Sequence, residues 1–133
     1  MFMTLERSEF QRLQAILDTE QDLELAVLIG SRASCTARTD SDWDIAIQWT
    51  HGIGFMDKLG RTEELRRKLA IFLNTSKRAV DLIDIPTARL AMRSVVAEEG
   101  MLLKGADSLG WHHFLQRTWR EMEEYYWEQT YAA

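Results

Sequence analysis

The segment 42–49 alternates strictly in character, and this period of two constrains the fold more than any other feature of the sequence. Its apolar face carries Trp43, Ile45, Ile47 and Trp49, and its other face carries Asp42, Asp44, Ala46 and Gln48. Such alternation predicts a strand with one buried face. The two aspartates at its start therefore point to the same side, about 6.6 Å apart along the chain.

Helices and strands alternate along the rest of the chain. Apolar spacing predicts helices at 5–18, 59–74, 87–99 and 108–131, and further strands at 24–29, 79–85 and 101–103. The polar segment 31–41 is predicted to be a loop with at most one helical turn. This order favours an α+β fold in which helices cover a small mixed β-sheet.

Length and composition indicate one soluble domain spanning residues 1–133. No apolar run approaches the roughly 20 residues that span a bilayer, and the N-terminus becomes charged too early for a signal peptide. The single cysteine, Cys35, excludes an internal disulfide and fits a reducing compartment. We therefore expect a cytoplasmic protein without a membrane partner.

The net charge of −5 argues against direct nucleic-acid binding, which needs a basic face. It does not exclude a phosphate-containing substrate that arrives with a divalent metal. Carboxylates would then be useful, because hard cations take oxygen ligands.

Asp42 and Asp44 are candidate metal ligands. Neighbouring carboxylates repel one another unless a cation is bound, and the spacing suits two-metal phosphoryl or nucleotidyl transfer, with ions about 3.5–4 Å apart. Asp81 is the best third acid, because it interrupts an otherwise apolar strand. It could complete the metal site and draw a proton from an attacking hydroxyl. Asp84 falls on the opposite face of a regular strand and ranks below Asp81.

Gly30 and Ser31 follow the first predicted strand and form a candidate nucleotide-binding turn. A residue without Cβ lets backbone N–H groups approach phosphate oxygens, and the Ser31 hydroxyl adds a donor. Arg32 and Arg38 in the following loop could neutralise more phosphate charge or be plain surface charges.

With Gly30-Ser31 followed after ten residues by Asp42-x-Asp44, the chain resembles the minimal nucleotidyltransferases of the DNA polymerase β-like superfamily. It looks most like their antitoxin branch, which is paired with HEPN-domain toxins. The similarity extends over roughly residues 23–103, including the strand around Asp81 and the turn at 99–103.

The resemblance implies a polymerase β-like fold and transfer of AMP from Mg-ATP to a hydroxyl group. In the antitoxin branch, that hydroxyl is a tyrosine of the HEPN ribonuclease toxin, which the modification silences. The implied metal-binding and catalytic residues are Asp42, Asp44 and Asp81, and the implied nucleotide-binding residues are Gly30 and Ser31.

Two alternatives stay open, and the first is motivated by Ser34-Cys35, where family members commonly carry Arg-Gly. A catalytically weak or inactive homologue would neutralise its toxin by binding alone. A transferase for a small molecule such as an aminoglycoside would need a second domain, or a dimer, to complete the acceptor pocket.

The last predicted helix, at about 108–131, is rich in large aromatic residues, among them Trp111, Phe114, Trp119, Tyr125 and Trp127. These side chains either pack on the domain's own sheet or in part contact a partner or a second copy. Tryptophan and tyrosine dominate binding hot spots, which makes an interface role for this helix a reasonable expectation.

Overall fold

The computed structural model describes residues 7–38 and 40–131 of the chain. Within these residues the helices are α1 (Arg7–Asp18), α2 (Phe55–Phe72), α3 (Leu90–Glu99) and α4 (Leu109–Tyr131). The strands are β1 (Leu23–Ile29), β2 (Trp43–Trp49), β3 (Val80–Asp84) and β4 (Met101–Lys104). None of the described helices is long and apolar enough to cross a membrane.

The four strands form one mixed sheet in the order β3-β2-β1-β4. β1 lies antiparallel to both β2 and β4, whereas β2 and β3 run parallel. The pairing places Asp44 opposite Ile29 on one side and opposite Asp81 on the other. The predicted mixed sheet is confirmed, and its register brings the two parts of the motif together.

Helices cover both faces of the sheet. The alternating apolar side chains of β2, from Trp43 to Trp49, pack with buried leucines of α1 and α2, including Leu13 and Leu65. On the opposite face of the sheet, Val27 of β1 and Ala46 of β2 pack in one cluster with Val96 of α3 and Phe114 of α4. Ala46 is fully buried, whereas Asp42 is exposed and Asp44 and Gln48 are half-buried at the two ends of this face.

Two helix starts differ from the sequence prediction. Residues 85–87 form a 3₁₀ turn that includes Pro86, and α3 begins only at Leu90, because Ala88 and Arg89 have extended backbone conformations. α2 begins at Phe55, before the predicted start at residue 59. The predicted start of the first helix at residue 5 lies outside the described residues.

The long α4 divides into a packed half and an exposed half. Ser108 caps its start, since the Ser108 hydroxyl oxygen accepts a hydrogen bond from the Trp111 N–H at 3.1 Å. Phe114 and Thr118 are buried against the domain. The aromatic residues beyond them are mostly exposed, namely Trp119, Tyr125, Tyr126, Trp127 and Tyr131. Core packing therefore accounts for the first half of this helix only.

A buried arginine fastens α4 to α3. Arg93 is 7% exposed, and its Nε donates a hydrogen bond to the Ala88 carbonyl at 3.1 Å. Its guanidinium also forms an ion pair with Glu121 in the middle of α4. The hydrogen bond from Arg93 lowers the pKa of the Glu121 carboxyl below its ordinary value.

Candidate active site

The chain turns sharply where β1 ends. Gly30 has a φ of +75°, a conformation that favours glycine, and opens a 3₁₀ turn that runs to Arg32. The Gly30 carbonyl accepts hydrogen bonds from the N–H groups of Ala33 and Ser34, both at 3.1 Å. The Ser31 carbonyl accepts another from Thr36 at 3.0 Å. These bonds fix the turn that the sequence assigned to nucleotide binding.

The absence of a side chain at Gly30 leaves room for the carboxylate of Asp44. A Cβ placed on Gly30 would lie 2.5 Å from Oδ2 of Asp44, closer than real Cβ contacts come. Any side chain at position 30 would therefore displace the Asp44 carboxylate as well as strain the backbone. The glycine turn and the aspartate pair thus form a single site.

The three predicted aspartates gather at one end of the parallel pair β2–β3. Asp44 faces Asp81 across the pair, and Asp42 precedes Asp44 by two residues. Partial burial, together with the negative charges of Asp81 and Asp42, raises the pKa of the Asp44 carboxyl above its ordinary value. The cluster is electrostatically unfavourable by itself and would be relieved by a bound cation.

Carboxylate oxygens are suitable ligands for Mg²⁺, but no group of three or more His, Cys, Asp and Glu side chains among the described residues is placed so that it could hold a metal ion. Protein sites for Mg²⁺ commonly use one or two carboxylates, with substrate phosphates and water completing the shell. Asp42 and Asp44 fit that requirement when a nucleotide supplies the remaining oxygens.

Asp84 lies away from this cluster. It ends β3 three residues after Asp81, and its carboxylate accepts a hydrogen bond from the Thr87 hydroxyl at 2.9 Å. Its side chain lines a groove together with Leu82, on the α2 side of the sheet. The position of Asp84 therefore agrees with the sequence analysis, which ranks Asp84 below Asp81 as the third acid of the site.

Arg32 makes a contact that the sequence pattern did not reveal. Its guanidinium lies over the Trp43 ring, 4.3 Å from the centroid, and its Nη2 donates to the Ser41 carbonyl at 2.7 Å. Arg32 thereby ties the glycine turn to the residues on either side of Asp42. The sequence predicts a phosphate ligand or a surface charge at Arg32, and its contacts with Trp43 and Ser41 fit a positioning role in addition.

The departure at Ser34-Cys35 has a visible structural cost. Cys35 has a φ of +62°, the left-handed region in which a side chain with Cβ is strained. The Ser34 hydroxyl lies 2.8 Å from that of Thr36 and 3.3 Å from the Ser31 carbonyl. The loop therefore keeps a glycine-type conformation without the glycine.

Replacing Cys35 with glycine should stabilise the protein by about 0.5–1 kcal/mol, because relief of the left-handed strain exceeds the entropy cost of glycine. Thermal or urea unfolding measures the change. The Cys35→Ala variant is the matched control, since alanine keeps the Cβ and should bring no gain. Equal gains from glycine and alanine would contradict the strain at this position.

The chain belongs to the polymerase β nucleotidyltransferase family, whose model matches residues 11–109. This match includes Gly30, Ser31 and all three aspartates of the cluster. No curated protein sequence is significantly similar to the chain.

Solved structures of toxin–antitoxin complexes share the fold. A toxin–antitoxin structure with AMP-PNP is 25% identical, covers 90% of each chain and has a TM-score of 0.68. The MntA–HepT toxin–antitoxin complex is 23% identical, covers 93% of this chain and 92% of that chain, and has a TM-score of 0.62.

A third structure contains a tri-AMPylated HEPN toxin of Shewanella oneidensis in complex with its MNT antitoxin. It is 23% identical, covers 90% of this chain and 91% of that chain, and has a TM-score of 0.60. The predicted family and fold are confirmed by these similarities. The roles of the individual site residues stay predictions.

Proposed function

We propose that residues 1–133 form a single nucleotidyltransferase domain that uses Mg-ATP to transfer AMP to a tyrosine hydroxyl of a cognate HEPN ribonuclease toxin, and so acts as its antitoxin. The observation that carries this proposal is the contact between the Gly30 turn and Asp44, beside Asp81. The structural neighbours support it, because they include a complex with AMP-PNP and one with an AMPylated toxin.

In this proposal, Gly30 and Ser31 hold the β- and γ-phosphates through backbone N–H groups and the Ser31 hydroxyl. Asp42 and Asp44 would hold Mg²⁺, with nucleotide and water oxygens completing its shell, and Asp81 would lie beside the ion. The ion, when bound, supplies positive charge against the phosphate oxygens. Relief of the repulsion around Asp44 would make its binding favourable.

The transfer itself needs one displacement. The tyrosine oxygen forms a bond to the α-phosphorus of ATP while the bond from that phosphorus to the bridging oxygen breaks, and pyrophosphate leaves. Asp81 orients the hydroxyl and accepts its proton. The protein contributes mainly positioning and charge neutralisation, as is usual for phosphoryl chemistry.

The test is the intact mass of a cognate HEPN toxin after incubation with this chain, ATP and Mg²⁺. We expect a gain of whole AMP units with the native chain and no gain with the Asp42→Asn variant. Unchanged transfer by that variant would contradict the site assignment.

The second candidate is a protein that inhibits the toxin by binding alone, and the strained Cys35 in the phosphate loop favours it. That function predicts no mass gain and full neutralisation of the ribonuclease by the Asp42→Asn variant. The ribonuclease activity measured beside the mass therefore separates transfer from occlusion.

A further inference from the structure

A cavity lies at the opposite end of β2 from the aspartate cluster. Its volume is about 230 Å³, and its walls come from the end of β2, the 3₁₀ turn at 85–87 and the first half of α4. Trp49 lies five positions after Asp44 along β2, which corresponds to about 17 Å. The cavity is therefore distinct from the candidate active site.

The polar side chains around this cavity are basic or neutral. Lys58, Arg117, His51 and His113 line it, and no aspartate or glutamate does. This is unusual for a chain with a net charge of −5. Cationic side chains converging on one concave space without a carboxylate form an anion-binding arrangement.

Nearby acids only partly compensate these charges. Glu121 lies 3.9 Å from Nε of Arg117, but the same carboxylate is paired with the buried Arg93. Asp84 shares the neighbouring groove with Lys58, and its carboxylate accepts the Thr87 hydroxyl. Glu24 lies behind the cavity wall, with its carboxylate against Gly110. Among the described residues Lys58 forms no ion pair, so it in particular can pair with an anionic ligand.

The inner wall of the cavity includes three buried apolar side chains. Trp49, Ile85 and Phe114 are each at most 5% exposed, and the Trp49 indole N–H donates to the Thr62 hydroxyl at 3.1 Å. The volume corresponds to about seven or eight water molecules. A single aromatic ring bearing one phosphate group matches this size and this combination of apolar and cationic walls.

We propose that this cavity binds a small aromatic phosphate monoester, with its ring against Trp49 and Phe114 and its phosphate between Lys58 and Arg117. Charge-assisted hydrogen bonds from these two cations would give most of the specificity. His51 and His113 line the same cavity, so the NMR signals of their rings should shift when the ligand binds.

The test follows the histidine ring signals by NMR in the metal-free protein during titration with phenyl phosphate. The chain has three histidines, and His112 does not line the cavity, which makes it an internal reference. We expect saturable shifts of His51 and His113, assigned by single His→Gln variants, and none of His112. Inorganic phosphate and phenol should each bind more weakly, because each supplies half of the contacts.

The Lys58→Ala and Arg117→Ala variants should each weaken phenyl phosphate binding roughly tenfold or more. Lys77→Ala and Arg120→Ala remove the same charges elsewhere and should leave it unchanged. Equal shifts of all three histidines, the absence of saturation, or equal losses in control and cavity variants would overturn the proposal.

Discussion

The Asp44→Asn variant should lose AMP transfer by about a thousandfold or more and, without metal, should be more stable than the native chain. Loss of a metal-holding carboxylate removes several kcal/mol of transition-state stabilisation, and each 1.4 kcal/mol is about tenfold in rate. The gain in stability is expected to reach at most about 1 kcal/mol, or roughly 4 °C in Tm, because the variant removes a charge that is partly buried and repelled by Asp81 and Asp42, and solvent screens this repulsion.

The raised pKa of Asp44 also predicts how the stability gain of the Asp44→Asn variant changes with pH. Because the fold raises the pKa of Asp44, the native state holds this proton more tightly than the unfolded chain does. The carboxyl therefore favours folding at acidic pH, and this contribution is lost as pH rises through the raised pKa. The Tm difference between variant and native chain should be full at neutral pH and should narrow as pH falls below that value.

Asp84→Asn is the matched control, since it makes the same change on β3 but outside the cluster. It should retain transfer and show no such gain in stability. An Asp44→Asn variant that transfers AMP at the native rate, or that is clearly destabilised at neutral pH, would contradict the proposed electrostatics of the site.

The Glu121→Ala variant should lose about 2–3 kcal/mol of stability, or about 10 °C in Tm, without any change in the candidate active site. Removing Glu121 leaves the buried Arg93 guanidinium with the Ala88 carbonyl as its described hydrogen-bond partner. An uncompensated buried charge is one of the few causes of so large an effect. Thermal and urea unfolding measure it.

Glu123→Ala provides the control for that variant, because Glu123 is an exposed residue on the same helix. Its effect should stay within about 0.5 kcal/mol. The pKa of Glu121 is lowered in the fold, so its contribution is present above the unfolded pKa and is lost as pH falls through the folded one. The deficit of Glu121→Ala should therefore shrink in acid, and a deficit that persists there would contradict the ion pair as its cause.

Much of the fold could be predicted from periodicity. The strict alternation of residues 42–49 reports directly on a strand, and the cap at Ser108 places the start of α4. The order of the strands could not be predicted in this way, because β1 pairs with β4 across some 70 intervening residues and the apolar pattern does not encode a partner. The late start of α3 follows from the extended backbone of Ala88 and Arg89, which the helical spacing of the apolar residues does not reveal.

The residue types of the candidate site could be predicted from the sequence, whereas the contacts between them could not. Residue types and spacing identified Gly30, Asp42 and Asp44, since their chemistry is visible along the chain. The close approach of Gly30 to Asp44 depends on the β1–β2 register, and the position of Arg32 over Trp43 depends on how the loop folds. Cys35 marks the place where the sequence departs from a glycine that its own backbone conformation favours.

The most direct test of AMP transfer by the Gly30–Asp44–Asp81 site uses ATP carrying a radioactive phosphorus at either the α or the γ position. A cognate HEPN toxin is incubated with Mg²⁺, labelled ATP and either the native chain or its Asp42→Asn variant. We expect toxin labelled from the α position only, and only by the native chain. A stable complex without α-label, or label arriving from the γ position, would contradict AMP transfer by this site.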